Sequence, residues 1–455
     1  MKKIIFLLLA LSATFTAFSQ QPAFPGAEGY AKYTVGGRGG QIFYVTNLND
    51  SGAGSLREAV DATGPRVALF KVGGLITVDS PLIIRNPNIS ILGQSAPGDG
   101  IAITGSADSG AAIQISASEV IIRYIKVRRY TTLTYNGSQD AFYIESGENV
   151  MIDHCSMSFA NDENLGIARY GANPIKNITI QYCLISVPYG GSSKGSLCVR
   201  DIDHVSFFRN AFMSNVTRNP YMSPQTDNPD FDTYFELVNN VIYNGKYYIE
   251  VTRDDSYLPE NEQGTSTGVP HYNVVKNHAF LPTDDWLKRA ERRMILSYGV
   301  PDQVTPALKI YAKGNTHPLR TSITNDVDYT SYTTADWAEE WATTQGQDGF
   351  ASIDIKANAN RQLFAPASTP IIDDNVPLYT GAENWEQIKN HVGASYPSRD
   401  SHDVKMYNEA ETLTRTDSYV NNAIPVYNNA NNNNPYTDAN NDGVEDTWFT
   451  VNVTP

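Results

Sequence analysis

The chain has 455 residues, of which 41% are hydrophobic and 18% are charged, a composition typical of a folded globular protein and not of a disordered one. The 49 acidic residues outnumber the 34 basic ones, and a net charge of −15 argues against nucleic acid as a partner, because phosphate binding depends on clustered lysine and arginine. Three cysteines are too few for a disulfide scaffold in a chain of this length.

The N-terminal residues 1–19 have the pattern of a secretory signal peptide. Two lysines precede an apolar run from Ile4 to Ala10, and small residues follow near Ser19. The run is too short for a membrane anchor, and it does not end in the cysteine of a lipoprotein. We therefore expect a chain exported to the periplasm, the cell surface or the medium, with a net charge of about −17 once two lysines are subtracted from −15.

A repeat occupies the middle of the chain. Its second and fourth positions are always apolar and the position between them is often polar, the period of two that is typical of a β-strand. The six segments that align without gaps start about 30 residues apart, at Asn88, Glu119, Asn149, Asn177, His204 and Tyr234. Short strands at this spacing, with no helical periodicity between them, predict an all-β fold in which coils of a parallel β-helix stack on one another.

The seventh position of the repeat predicts what lies at one corner of the coils. It holds Cys155 and Cys183 on successive coils, and then Asn210 and Asn240. Stacked asparagines can hydrogen-bond along the axis, and stacked cysteines behave as small core residues, which we favour over a disulfide. The period fades through residues 308–317 and is lost beyond about residue 330, so the β-helix is expected to span 20–330.

The C-terminal part, residues 331–455, has a different character. Residues 384–393 predict a short amphipathic helix that ends at a glycine. No long linker separates this part from the coils, so we expect a single domain in which 331–455 packs on the β-helix as a wrapping segment.

An Asn-rich stretch near the C-terminus leads into a candidate ion-binding loop at 438–448. Its acids and amides have the spacing of the first half of an EF-hand loop, but Phe449 replaces the glutamate at the twelfth position. A second metal site is therefore a candidate here, with the ligands Asp438, Asn440, Asp442 and Asp446.

Charged residues lie just before several of the predicted strands. Asp140 precedes one coil, Asp162 and Glu163 the next, Lys194 the one after, and Arg218 lies in a longer loop. Stacking brings these residues toward one face, where two rungs supply carboxylates and two supply cations. Oxygen ligands in a solvent-facing groove favour Ca²⁺ over zinc or copper, although each acid by itself could equally be a solvated surface residue.

The loop "SNVTRNPYMSP" contains Arg218 and Pro220 but no carboxylate. A rigidly mounted arginine without an acid in its own loop predicts a guanidinium that has no carboxylate partner. Such a group is available either to bind an anionic ligand or to take part in proton transfer.

Several segments together resemble the pectate lyase family. They are "FPGAEGYAKYTVGGRGGQIFYVTNLNDSGAGSLREAV", "NVMIDHCSMS", the "RNP" that starts at Arg218, and "LVNNVIYN", in order over about residues 24 to 320. "GASYPSRDSHD" and "DANNDGVEDTW" resemble the C-terminal part of bacterial members. The resemblance implies a right-handed, single-stranded parallel β-helix. It also implies an enzyme that uses Ca²⁺ as cofactor and cleaves α-1,4-polygalacturonate by β-elimination to 4,5-unsaturated products. We expect the protein to be a monomer.

The resemblance also implies roles for individual residues. Arg218 matches the base of the family's RxPxxR motif, Asn219 follows it as a candidate substrate contact, and Lys194 matches the catalytic and substrate-binding lysine. The carboxylates of Asp140, Asp162 and Glu163 match the Ca²⁺ ligands.

The sequence departs from the family pattern at two places. Ser223 stands where the motif has its second arginine, which weakens the case for carboxylate binding by this loop. Asp162 and Glu163 are adjacent, whereas the family's later pair of carboxylates is commonly four residues apart. The presence of a metal site is therefore better supported than the identity of each ligand.

Other functions remain open at this point. A pectin lyase would act on methyl-esterified chains without Ca²⁺, a hydrolase would need a carboxylate pair arranged as acid and base or nucleophile, and a silent β-helix would only bind glycans. Asp153 and His154 suggest an acid–base pair, but on a strand a structural role is favoured. The glycines of 36–40 lack the Lys-Ser/Thr ending of a phosphate loop and predict a turn.

Overall fold

The computed structural model describes residues 20–105, 110–129, 139–169, 173–189, 194–223, 232–252, 270–283, 294–298, 309–318, 341–344, 353–354, 379, 381–415, 425–428 and 430–431. The expected signal peptide at 1–19 lies outside the described residues. The candidate ion loop at 438–448, with Asp438, Asn440, Asp442 and Asp446, also lies outside them. Both therefore stay predictions.

Three parallel sheets, here called sheets 1, 2 and 3, form the sides of the coils. Sheet 1 contains Gln41–Val45, Arg66–Phe70, Ile89–Leu92, Val120–Arg123, the second half of Phe142–Asp153, Ile175–Gln181, Ile202–Phe208, Thr233–Val238, Pro270–Val275 and Lys309–Lys313. Sheet 2 contains Val72–Val78, Ile101–Gly105, Ile125–Arg128, Ser156–Ser158, Leu184–Ser186, Ala211–Met213, Val241–Tyr243 and His278–Phe280, with Ala430–Asn431 antiparallel at its edge.

Sheet 3 contains Leu82–Ile84, Ile113–Ser116, the first half of Phe142–Asp153, Glu163–Ala168, Lys194–Val199, Tyr221–Ser223, Ile249–Thr252, Ile295–Tyr298 and Trp341–Thr344, with Ile353–Asp354 antiparallel at its end. Because the strand at 341–344 pairs in parallel with the one at 295–298, strand stacking continues past residue 330. The chain is thus nearly all-β, and the prediction of a parallel β-helix is confirmed.

The register of sheet 1 is the register that the sequence repeat predicts. Val150 pairs with Val120 on one side and Ile178 on the other, and Val205 pairs with Phe235. These residues are almost completely buried in a single apolar core that runs through the coils. Each added coil therefore extends the same core, which is how a solenoid stabilises strands that are mostly three to seven residues long.

At the corner between sheets 1 and 2, the chain turns through residues with positive φ and forms a ladder of buried polar groups. Asn210 Nδ2 donates to Asn240 Oδ1 over 3.0 Å, and Asn240 donates in the same way to Asn277. The ladder continues into sulfur, because the backbone N–H of Cys155 points at Cys183 Sγ over 3.4 Å. Cys155 and Cys183 therefore stack as predicted, and all three cysteines are free and buried.

Within the described residues, three α-helices lie outside the coils: α1 (Leu56–Asp61), α2 (Ala382–Ile388) and α3 (Ser401–Thr412). Ser55 caps α1 by accepting from the backbone N–H of Glu58, and the apolar face of α1 packs into the core. Trp385 of α2 and Met406 of α3 pack against apolar side chains on the outer face of sheet 2. Within the described residues, no helix has the length and apolar character needed to cross a membrane.

A buried polar cluster fastens α3 to sheet 2. Arg128 Nη2 lies 2.8 Å from a carboxylate oxygen of Asp400 and 2.7 Å from one of Asp403. On the next strands, Ser156 donates to Asp403 and Ser186 Oγ lies 3.0 Å from His402 Nε2. Since breaking a buried ion pair leaves an uncompensated charge, these contacts fasten α3 to the coils.

The acid stability of this cluster provides a test. Burial, aided by the charges of Arg128 and Lys405 and opposed by Asp400, lowers the pKa of His402 to about 3 from its ordinary value of 6.5. Between these values the unfolded chain binds a proton that the folded chain does not, so the free energy of unfolding should fall as the pH drops from 6.5 toward 4. His402→Gln can keep a partner for Ser186 without titrating, and its urea-unfolding free energy should depend less on pH. Equal pH dependence in the two proteins would contradict this assignment.

Candidate active site

The predicted charged residues meet at the edge of sheet 3 where its strands begin. Asp140 lies just before Phe142, Glu163 starts the strand Glu163–Ala168, and Lys194 starts the next strand. Glu163 pairs in register with Lys194, which in turn forms a bridge to Thr217, the residue before Arg218. Because parallel strands start at the same edge of a sheet, their leading side chains converge on one place.

Three carboxylates converge at this edge. Oxygen atoms of Asp140, Asp162 and Glu163 all lie within 4.8 Å of one another, and the residues are only 6%, 7% and 3% exposed. Asp140 Oδ1 also accepts a hydrogen bond of 3.0 Å from the backbone N–H of Glu163, which ties the two rungs together. The carboxylates are therefore held by the framework and are not freely solvated surface acids.

The close approach of the carboxylates affects the pKa of Asp140. Burial and the neighbouring charge of Asp162 raise the pKa of Asp140 well above its usual range. The positive charges of Lys194, Arg218 and Arg129 oppose that rise. Like charges held together in a poorly solvated place favour either a proton or a bound cation.

Two cations face the carboxylates. Lys194 Nζ lies 2.6 Å from Asp162 Oδ1 and 3.6 Å from Glu163 Oε1. Arg218 Nη1 forms an ion pair with the same Glu163 oxygen. The prediction that Arg218 has no carboxylate partner was therefore wrong, because the acid comes from a strand 55 residues earlier that stacking brings beside the arginine.

The donor set fits a hard divalent cation. Three carboxylates supply only oxygen atoms, the ligands that Ca²⁺ takes, and none of the sulfur or imidazole ligands that favour zinc or copper. Such an ion would share the oxygens that Lys194 and Arg218 contact, so both side chains would have to shift away from them. The groups that moved would then face a ligand in the groove.

The loop around Arg218 is held by amide groups. Asn219 is 1% exposed, and its Nδ2 donates to the backbone oxygens of Tyr247 and Asn215 over 2.7 and 3.2 Å. Its Oδ1 accepts from Asn215 Nδ2 over 3.0 Å. The expected contact between Asn219 and a substrate does not fit this burial, since the side chain anchors the loop within the protein.

Ser223, which replaces the second arginine of the resembled motif, is fully buried on the strand Tyr221–Ser223. It pairs with Val199 of the preceding rung. A guanidinium for carboxylate binding is therefore absent from this position, and the buried serine does not substitute for it.

Gly166 leaves room for the carboxylate of Asp140. A Cβ atom at this position would lie 2.4 Å from Asp140 Oδ2 and 2.7 Å from Cδ2 of Tyr143. The absence of a side chain at 166 thus allows the carboxylate of Asp140 to extend across the neighbouring rung toward Lys194.

The other motifs have structural surroundings. Asp153 is buried between Arg123 and His154, at 2.6 and 2.8 Å, and although burial raises the pKa of Asp153 these partners lower it overall. The ring of His154 stacks between Tyr124 and Tyr182 with centroids 4.7 and 4.8 Å apart. These contacts agree with the structural role that was favoured for this pair.

The glycines of 36–40 form a turn, closed by a 2.9 Å hydrogen bond from Gly40 N–H to the oxygen of Gly37. A Cβ at Gly37 would lie 1.8 Å from the backbone oxygen of Arg66. The turn therefore needs glycine for close backbone packing, as the sequence predicted.

Two neighbours of Arg218 were missed in the sequence. Glu250 lies on the rung after the arginine and accepts a hydrogen bond from its backbone N–H. The ring of Tyr221 lies 5.6 Å below its guanidinium carbon. The loops that separate these rungs have unequal lengths. Glu250 could therefore have been identified only if the pairing of Ile249–Thr252 with the preceding strand had been predicted from the sequence.

Comparison with known proteins agrees with the resemblance. No family model matches the chain. The chain is 37% identical over 277 residues to a probable pectate lyase C of Aspergillus fumigatus, which covers 60% of this chain and 57% of that protein. It is 39% identical over 290 residues to a probable pectate lyase C of Emericella nidulans, covering 61% and 64%. The matches thus span less than two thirds of these relatives' own length.

A solved structure described as a pectate lyase bound to a hexasaccharide has a TM-score of 0.50 at 13% identity, over 83% of this chain and 99% of that chain. At that identity the likeness supports the fold alone. Together with the curated relatives, it confirms the similarity to pectate lyases that the sequence motifs indicated.

The space at Gly166 yields a prediction. Gly166→Ala should displace the carboxylate of Asp140 and weaken Ca²⁺ binding by about tenfold or more, as is typical when a ligand's support is disturbed. Isothermal titration calorimetry measures the affinity, and Asp140→Asn should weaken binding at least as much. An unchanged affinity in a folded Gly166→Ala protein would contradict the role of Asp140 as a ligand.

Proposed function

We propose that this chain, similar to pectate lyases over 60% of its length, is a Ca²⁺-dependent pectate lyase. The observation that carries the proposal is the convergence of three carboxylates, Lys194 and Arg218 at one edge of sheet 3. The substrate would be α-1,4-polygalacturonate, cut by β-elimination to 4,5-unsaturated oligogalacturonides. Export of the enzyme would bring it to this polymer outside the cytoplasm.

The reaction removes the proton on C5 of a galacturonate unit and expels the oxygen on C4. Ca²⁺ held by Asp140, Asp162 and Glu163 would act as a Lewis acid toward the uronate carboxylate and reverse the negative field that three acids present to a polyanion. Lys194, whose ammonium lies at the same edge, would stabilise the negative charge that develops on that carboxylate as the C5 proton leaves.

Arg218 would take the C5 proton. Its backbone is fixed by hydrogen bonds to neighbouring rungs, and a base held in contact with its proton gains from orientation. In this structure the guanidinium is occupied by its ion pair with Glu163, so the proposal requires that pair to open when substrate and Ca²⁺ bind. A guanidinium acts as a base only in its neutral form, and the rate should therefore rise toward alkaline pH.

Two other functions are less well supported. A pectin lyase acting on methyl esters would have no use for the buried carboxylate cluster, since an ester needs no metal bridge. A glycan-binding β-helix without activity is favoured only by Ser223, because it would not need Lys194 and Arg218 on successive rungs. Activity measurements separate the three.

The requirement for calcium is tested on polygalacturonate by the ultraviolet absorbance of the unsaturated product. We expect absorbance to increase with Ca²⁺ and to stop when a chelator is added, because the carboxylates would then repel the substrate. Activity on methyl-esterified pectin that persists in chelator would support a pectin lyase instead. No product under any condition, together with retained glycan binding, would support the binding protein.

The role of Arg218 is tested by Arg218→Lys, which keeps the positive charge but changes the base. We expect kcat to fall by about 10²- to 10⁴-fold, the typical contribution of a positioned base. Arg38→Lys, at an exposed arginine, is the matched control and should be unaffected. A wild-type rate that is flat from pH 6 to pH 10 would contradict Arg218 as the base.

A further inference from the structure

Arg218 has an unusual backbone conformation. Its φ is +64°, in the left-handed region that residues with a side chain rarely adopt. Such a conformation persists only where surrounding contacts determine it. The contacts that hold the Arg218 backbone therefore decide where its side chain points.

The preceding rung holds one side of this backbone. Ser196 donates its N–H to the oxygen of Arg218 over 2.7 Å, and Gly195 donates to the oxygen of Thr217 over 3.0 Å. A Cβ at Gly195 would lie 2.5 Å from the oxygen of Arg218, so the two rungs are in direct backbone contact.

On the other side, Glu250 of the following rung contacts this backbone at two points. Its backbone N–H donates to the oxygen of Pro220 over 2.9 Å, and its carboxylate accepts the N–H of Arg218. Glu250 is 3% exposed and lies on the strand Ile249–Thr252, in register with Tyr221. A buried carboxylate that receives a backbone N–H makes a stronger bond than a neutral acceptor does.

We infer that Glu250 is a positioning residue for Arg218, which fixes the left-handed backbone so that the guanidinium enters the carboxylate cluster. The inference rests on the proposed function in so far as Arg218 is the base. Glu250 acts through the backbone of the arginine, and not on the substrate. Its loss should therefore lower the rate of the chemical step more than it weakens substrate binding.

The test compares Glu250→Met, which has a similar shape but no acceptor, with Glu250→Gln, which keeps a carbonyl acceptor. For Glu250→Met we expect kcat on polygalacturonate to fall by about 30-fold or more, with KM changed by less than about threefold, as expected when a reacting group is misplaced. Hydrogen exchange of the Arg218 amide, measured without substrate, should become faster. In Glu250→Gln, both kcat and the exchange rate of the Arg218 amide should stay within about threefold of the wild-type values.

Glu236→Met is the matched control. Glu236 is another buried glutamate, on the strand Thr233–Val238 of sheet 1, and it accepts a hydrogen bond from Ser206 of the same sheet. Its replacement should change neither the exchange of the Arg218 amide nor the ratio of kcat to KM.

Three results would overturn the inference. The first is that Glu250→Met keeps the kcat and the Arg218 amide exchange rate of the wild-type protein. The second is that Glu250→Gln loses as much kcat as Glu250→Met, and the third is that Glu236→Met changes kcat and exchange as much as Glu250→Met does. If Glu250→Met does not fold, Glu250→Gln decides, because loss of kcat or of exchange protection there would refute the role of the acceptor. If the wild-type protein shows no lyase activity, the proposed function fails, but the exchange data still decide whether Glu250 holds Arg218.

Discussion

The register between successive coils is the constraint on which the site depends. In sheet 3, Leu165 pairs with Phe142 and Ser196, and alternate residues of each strand are buried in one continuous core. A slip of one residue would turn every side chain of a strand to the opposite face, so the buried positions fix the register strongly. The pairing of Glu163 with Lys194 is therefore a consequence of core packing along the whole solenoid.

This framework holds together charges that would otherwise separate. Three nearly buried carboxylates share one edge, and Lys194 and Arg218 both contact Glu163. The same groups that lower the repulsion between the acids are those that the proposed chemistry uses. Under the proposed function, a bound Ca²⁺ would replace Lys194 and Arg218 as the ionic partner of these carboxylates.

Much of the fold could be predicted from the sequence, because the strand repeat is local and regular. The second position of the repeat, which includes Val120 and Val150, predicted the register of sheet 1. The seventh position, which includes Asn210 and Asn240, predicted the asparagine ladder at the corner. The charged residues before the strands could also be placed on one edge, although the family resemblance was needed to give Arg218 a role. The candidate ion loop at 438–448 lies beyond the part of the chain that the structure describes.

The parts that could not be predicted depend on contacts between rungs. Apolar periodicity does not show that Arg218 meets Glu163, that the amide of Asn219 is used within its own loop, or that Gly166 makes space for Asp140. Loops of unequal length between the strands conceal which residue of the next rung lies opposite. Glu250 was missed for this reason.

The attachment of α3 has a consequence for how the protein folds. Arg128 is separated from Asp400 by 272 positions in the chain, yet its guanidinium is buried against that acid. The coils that carry Arg128 can assemble one after another from local contacts, whereas the contact with Asp400 forms only after the residues up to Asp400 have been made. Until then Arg128 and the apolar side chains of sheet 2 that α3 covers lie open to water, which exposes the growing chain to proteases and to association with other chains.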